Sequence, residues 1–234
     1  MSLNTNTIVY LYVEKINRLL YDYFMEIKNE IDWLEWRKSG IGGSDCAAIL
    51  GLSPYMTNVE LWEQKVLGKK KSMKGKESVL QRSHDFEPLI IKMFALEHPE
   101  FEVSSSSYDL FIHPEYSFIL GSTDGRLKCV QTGNLGILEI KYVQIGNSQQ
   151  KLNWQDSIPQ YYYCQILHYL ACSGLTFAIL KARFNQNGFF YEKEYRFERA
   201  EHQESIDFLI QKEVEFWNKY VLTGIKPPLV LPQI

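Results

Sequence analysis

An α/β (α+β) fold, with a mixed central β-sheet flanked by helices, is predicted from three observations. Short β-favouring runs cluster between residues 108 and 143 and return between 175 and 196. Segments with apolar residues at helical spacing lie before, between and after them. The resulting order of helix, strands, helix, strands is the one expected when helices cover the faces of a sheet.

In chain order, residues 8–30 read as a helix, because Ile16, Leu19, Leu20, Tyr23, Phe24 and Ile27 recur at helical spacing. The run Trp33 to Arg37 leads into the turn Gly40-Ile41-Gly42-Gly43. Ser44 is expected to cap a short helix, Asp45 to Leu50, that Gly51 ends. Thr57-Asn58-Val59-Glu60 has the spacing of a capping box, for a helix that reaches about Leu67. Gly68 to Lys76 is a basic loop, and residues 77–97 form a helix carrying Glu87-Pro88. Strands are expected near 108–113, 116–121, 125–130 and 136–143. Pro159 opens a helix through about Ala171. Strands near 175–184 and 189–196 and a helix over about 198–222 complete the chain. No linker divides it, and the expected organisation is a helical extension, residues 1–31, on a body of residues 32–234.

Composition narrows the functional classes. In 234 residues, 45% hydrophobic and 14% aromatic content suffices for a substantial core. The net charge of −3 argues mildly against a non-specific nucleic-acid binder, although local charge matters more than the total. Cys46, Cys129, Cys164 and Cys172 show no Cys-x-x-Cys spacing, which argues against zinc and iron–sulfur sites and fits reduced thiols in a cytosolic protein. No apolar run reaches the roughly 18 residues of a membrane span. The start of the chain lacks the pattern of a signal peptide. A soluble, cytoplasmic protein is expected.

The chemistry lies in two short segments, Gly121-Ser122-Thr123-Asp124-Gly125 and Leu138-Glu139-Ile140-Lys141. In a strand, Glu139 and Lys141 share one face. Charge in an apolar strand is costly unless paired or metal-bound. A hairpin between the two segments would bring Asp124 beside Glu139. Two carboxylates suit a hard cation such as Mg²⁺, and a lysine beside them can orient a water and offset phosphate charge. That is the chemistry of phosphodiester hydrolysis. Glu87 would be a third carboxylate, able to help hold a second ion. Each residue also has a plainer role: Asp124 in a tight turn, Glu139 and Lys141 as a strand ion pair, Glu87 on a helix surface, Gln165 as a hydrogen-bonding helix residue. Arg37 and Ser44 bracket the glycine turn and could form an anion site at a helix start, or serve as a surface arginine and a simple cap. The three consecutive tyrosines, Tyr161 to Tyr163, read as packing residues, and none of the five histidines shows ligand spacing.

The run Trp33 to Tyr55, with Gly40-Ile41-Gly42-Gly43-Ser44-Asp45 inside it, resembles the opening signature of the YqaJ-like viral recombinase family. That family groups with the phage lambda alkaline exonuclease in the PD-(D/E)xK nuclease superfamily. The match continues through Glu87-Pro88, Gly121 to Gly125, Glu139-Ile140-Lys141 and the helix of Gln165, over roughly residues 32–175. The resemblance implies a restriction-endonuclease-like core and a Mg²⁺-dependent 5′→3′ exonuclease on double-stranded DNA ends, with Mn²⁺ as an alternative metal and two ions in the site. It further implies Asp124, Glu139 and Lys141 as the catalytic core, Glu87 and Gln165 completing it, and the Ile140 carbonyl as an added metal ligand. Arg37, Ser44 and Ser122 fall where the 5′-phosphate would be held. A single-strand annealing protein as partner, phage or prophage recombination as the setting, and a ring of three subunits are also implied. The chain departs from the family pattern at Ser83-His84, Leu167 and Asn147. An internally cutting nuclease of the same superfamily and a non-catalytic DNA-end-binding module are the alternatives.

Overall fold

The computed structural model describes residues 24–27, 29–69, 77–105 and 108–231. In order these form β1 (Phe24–Glu26), α1 (Glu30–Lys38), β2 (Ile41–Gly42), α2 (Cys46–Ile49), α3 (Asn58–Leu67) and α4 (Glu77–Glu97). They continue with β3 (Phe101–Ser104), β4 (Asp109–Ile112), β5 (Ile119–Gly121), β6 (Gly125–Cys129) and β7 (Leu135–Gln144). The chain ends with α5 (Ser148–Leu152), α6 (Gln160–Ser173), β8 (Phe177–Gln186), β9 (Phe189–Glu198) and α7 (Gln203–Phe216). A 3₁₀ turn, Arg199–His202, precedes α7, and a π turn, Trp217–Val221, follows it.

The predicted mixed α+β architecture is present, but with two sheets in place of one. A four-stranded sheet has the order β1-β4-β5-β2, and a five-stranded sheet has the order β3-β6-β7-β8-β9. Both are mixed: β2 runs parallel to β5, and β7 parallel to β8, while the other pairs are antiparallel. The chain passes from the first sheet to the second through Ser122-Thr123-Asp124, between β5 and β6.

Both faces of the larger sheet are covered. On one, α4 packs Ile90, Ile91 and Phe94 against Leu127, Leu138, Ile140 and Ile179. On the other, α2, α6 and α7 pack against Ile137, Leu180, Ala182 and Phe184. Central parallel strands covered on both sides read as continuous apolar runs, as β7 and β8 do. Helix α6 touches β4 and β5 of the smaller sheet as well as β7 and β8 of the larger one. It is therefore the element that joins the two sheets.

Local signals explain several boundaries. The capping box of α3 is complete: Thr57 accepts from the Glu60 amide, and Glu60 accepts from the Thr57 amide. Gly68 and Gly174 close α3 and α6 in the left-handed region, at φ 65° and 66°, a conformation that glycine adopts without a Cβ penalty. The Asn58 side chain donates to the Pro228 carbonyl and accepts from the Val230 amide, clipping the end of the chain onto α3.

Three expectations are corrected. The helix expected over 8–30 lies largely outside the described residues, and where the chain is described Phe24–Glu26 is a strand paired with β4. Backbone pairing with β4, Phe24 opposite Phe111 and Met25 opposite Leu110, overrides the helical spacing. Ser44 does not cap the short helix. Asp45 stands at its N-cap and turns its carboxylate onto the Gly42 amide and Lys65 Nζ, at 3.1 and 2.9 Å. The long helix expected over 198–222 is divided into the 3₁₀ turn, α7 and the π turn. The lysine-rich loop lies outside the described residues from Lys70 to Lys76.

Candidate active site

The hairpin of β6 and β7 builds the centre. Gly125 pairs with Leu138, so Asp124, one residue before β6, arrives beside Glu139. Asp124 Oδ2 accepts a hydrogen bond from the Ile140 amide at 2.7 Å, which locks the turn to β7. Lys141 Nζ donates to Glu139 Oε1 at 2.5 Å. Gln165, from α6, donates to the same oxygen at 2.9 Å and to Tyr169 Oη at 2.8 Å. Glu139 is 2% exposed, so its charge is met by protein groups rather than by water.

That compensation is incomplete. Glu139 Oε2 is buried without a hydrogen-bond partner among the described residues. Burial and the nearby Asp124 push Glu139 up to about 8, against the pull of Lys141. Burial raises Asp124 as well, against Lys141, the Ile140 amide and Arg37. Burial and Asp124 push Glu87, on α4, up to about 7. Lys141 stays charged: burial opposes its proton, but Glu139 and Asp124 outweigh burial and raise its pKa. Three carboxyl groups thus crowd one lysine, with one inward oxygen unused. A hard divalent cation, which takes carboxylate oxygens, fits this donor set.

Two other groups of ligand-type side chains converge among the described residues, and their chemistry is different. In Cys46, His168 and Glu213, both ring nitrogens are already engaged, and burial pushes the thiol of Cys46 far up, so it remains a neutral donor to the Gly43 carbonyl. In Glu97, His98 and Glu194, both carboxylates already pair with the buried Lys181.

The anion-site candidates lie at the side of the centre. The Arg37 guanidinium lies over the Trp33 ring, 4.4 Å from its centroid, and is close enough to Asp124 to lower its pKa. Trp33 Nε1 donates to Ser122 Oγ at 3.3 Å. Trp33 therefore joins Arg37 to Ser122, through a bond between Trp33 and Ser122, 89 positions apart, that the sequence alone did not reveal. Ser44 is exposed beside Gly43.

Residues 32–176 match the YqaJ-like viral recombinase domain. The chain belongs to the YqaJ-like viral recombinase family. It is 34% identical over 206 residues to the uncharacterized protein YqaJ of Bacillus subtilis (strain 168), covering 85% of this chain and 58% of that one. The chain thus spans somewhat over half the length of this curated relative. Its fold is similar to that of an alkaline exonuclease (LHK-Exo) from Laribacter hongkongensis, at a TM-score of 0.57 and 18% identity, over 84% of this chain and 94% of the other. It is also similar to a phage related exonuclease from Haemophilus somnus 129PT, at a TM-score of 0.54 and 13% identity, over 79% of this chain and 96% of the other.

In this YqaJ-like chain the predicted set of Asp124, Glu139, Lys141 and Gln165 comes together, with Glu87 within electrostatic reach. Tyr169 is a residue at the centre that sequence reasoning missed. It lies one turn after Gln165 on the same helix face, the spacing at which side chains meet. Its ring packs against Gly43 so closely that a Cβ there would lie 2.5 Å from Tyr169 Cε1. Gly43→Ala is expected to force the glycine turn away from α6 and to cost about 1–3 kcal/mol. A thermal melt of the two proteins measures this, and an unchanged melting temperature would show that the turn is not seated on Tyr169. Among the described residues no helix is long and apolar enough to cross a membrane.

Proposed function

We propose that this protein is a divalent-metal-dependent exonuclease that resects linear double-stranded DNA from the 5′ end during homologous recombination. The observation that carries the reading is the Asp124–Glu139–Lys141 set around the buried Glu139, whose Oε2 is unpartnered among the described residues. Membership of a viral recombinase family supports setting that chemistry in DNA recombination. Asp124 and Glu139, with the Ile140 carbonyl and with Glu87 for a second ion, would hold Mg²⁺ or Mn²⁺. Bound there, the cations would supply Lewis-acid stabilisation of the phosphoryl oxygens and of the leaving oxygen.

The chain's own residues would do the rest. Lys141 is placed to orient the attacking water and to offset charge that develops on the phosphate. Gln165 fixes Glu139 Oε1, so that Oε2 remains the oxygen left for a ligand. The Asp124–Ile140 hydrogen bond holds the two strands in register. Arg37, with Ser122 and Ser44, is the candidate pocket for the 5′-phosphate. A single-strand annealing protein would take up the 3′-ended strand that resection exposes, and a ring of three subunits would let DNA thread past the site.

Arg37→Ala is expected to lower the rate on 5′-phosphorylated ends by roughly tenfold more than the rate on 5′-hydroxyl ends. Equal losses on both ends would remove Arg37 from the pocket. The reading itself is tested by incubating linear and covalently closed circular DNA with the protein and Mg²⁺. Degradation of the linear form alone is expected. Cutting of the circle would make the protein an internally cutting nuclease, and binding of ends without cleavage would make it a non-catalytic module.

A further inference from the structure

The residues that position the two metal-bearing strands reach beyond the site. His168 and Glu213 are both fully buried, on α6 and α7. His168 Nδ1 lies 2.8 Å from Glu213 Oε1, and Nε2 lies 2.9 Å from the Leu120 carbonyl oxygen. The Leu120 carbonyl can only accept, so Nε2 carries a proton, and Nδ1 and the Glu213 carboxyl share a second proton between them. Burial opposes charge on both groups: it raises Glu213, while at the ring Cys172 and Glu213 outweigh it and hold His168 well above its ordinary pKa.

Leu120, the last residue but one of β5, pairs with Ile112 of β4 and Gly42 of β2, and Gly121 still pairs with Phe111. Ser122 and Thr123 then carry the chain across to Asp124. The crossing is thus tied at one end by His168 on the Leu120 carbonyl and at the other by the Asp124 carboxylate on the Ile140 amide. One turn before His168 on the same helix, Gln165 holds Glu139. A Cβ on Gly121 would lie 3.2 Å from the Cβ of Cys172, so α6 packs directly against this end of β5.

We propose that His168, held by Glu213, is a positioning residue that sets the distance between Asp124 and Glu139 by anchoring the Leu120 carbonyl to the helix that also anchors Glu139. This rests on the reading of Asp124 and Glu139 as metal ligands. Both side chains are fully buried, so they act through the Leu120 carbonyl rather than on DNA.

The test compares His168→Leu/Glu213→Leu with His168→Gln. The double variant removes both members of the buried pair together, a change that proteins often tolerate without unfolding. It leaves the Leu120 carbonyl untied. Glutamine can still place a side-chain N–H where Nε2 stands. The double variant is expected to bind Mg²⁺ about tenfold more weakly by calorimetry, in line with the effect of residues that support metal ligands. Its amides at Ser122 to Gly125 should also exchange faster without metal. His168→Gln is expected to stay within about twofold of the parent in Mg²⁺ affinity. A double variant with unchanged Mg²⁺ affinity and unchanged exchange would overturn the proposal, as would a His168→Gln variant that loses as much as the double one. A double variant that does not fold leaves His168→Gln against Glu213→Gln to decide. Both keep a donor on Leu120, so a tenfold loss in either, with normal folding, would contradict the proposal. Mg²⁺ affinity and exchange are read without DNA, so failure of the nuclease reading would show separately, as metal binding without cleavage.

Discussion

Lys141→Ala is expected to lower the cleavage rate by about 10²- to 10³-fold while leaving DNA binding within about twofold, because Lys141 acts on charge that develops only in the transition state. Its ammonium is the positive group on Glu139, and it acts on Asp124 and Glu87 through the same field. Alanine would remove that positive charge from a buried cluster of carboxyl groups, and they would take up protons rather than remain as uncompensated anions. The remaining site would hold metal less well and orient water less well. Single-turnover cleavage separates these effects from DNA affinity. A variant that cleaves at the parental rate would take Lys141 out of the chemistry.

Glu139→Gln is expected to abolish metal-dependent cleavage and to flatten the dependence of metal-free stability on pH. Folding raises Glu139 from 4.5 to about 8 and Glu87 from 4.5 to about 7, and raises Asp124 as well. A carboxyl group with a raised pKa contributes stability that is whole below its unfolded value and is lost as pH rises through its folded value. Metal-free protein should therefore melt at progressively lower temperature between about pH 5 and pH 8, and Mg²⁺ should restore it at the upper end. Glutamine at position 139 removes the steepest contributor, so its melting temperature should change less over that range. A parent whose metal-free melting temperature rises from pH 5 to pH 8 would show that the carboxyl groups are not held against their charge.

Much of this site was legible because its core is local. Asp124 and Glu139 meet through one hairpin, and their side chains follow from the pairing of Gly125 with Leu138. Glu139 and Lys141 share a face by strand periodicity. Gln165 was legible only through the family resemblance, because its partner is 26 residues away on another element. The smaller sheet was half hidden. β2 is two residues long and exists by pairing with β5, so no periodicity marks it. β3 was missed for the same reason, as a four-residue strand at a sheet edge. The separation into two sheets depends on where Ser122 to Asp124 crosses, and that is fixed by α6 from a distance. Tyr169 and His168 carried no signal of their own, and Trp33 only as the start of the signature run, since an aromatic residue on a helix most often packs in the core. Their roles follow from what they touch: Gly43, the Leu120 carbonyl and Ser122.

The central claim is that Asp124, Glu139 and Lys141 form a metal-dependent hydrolytic centre that works from a 5′ end. Linear double-stranded DNA labelled separately at its 5′ and 3′ ends tests it most directly, with Mg²⁺ in one arm and excess chelator in the other. The account predicts early release of the 5′ label as nucleotide, later loss of the 3′ label, and no release of either with chelator. Release of the 3′ label first, or release of the 5′ label in chelator, would contradict it.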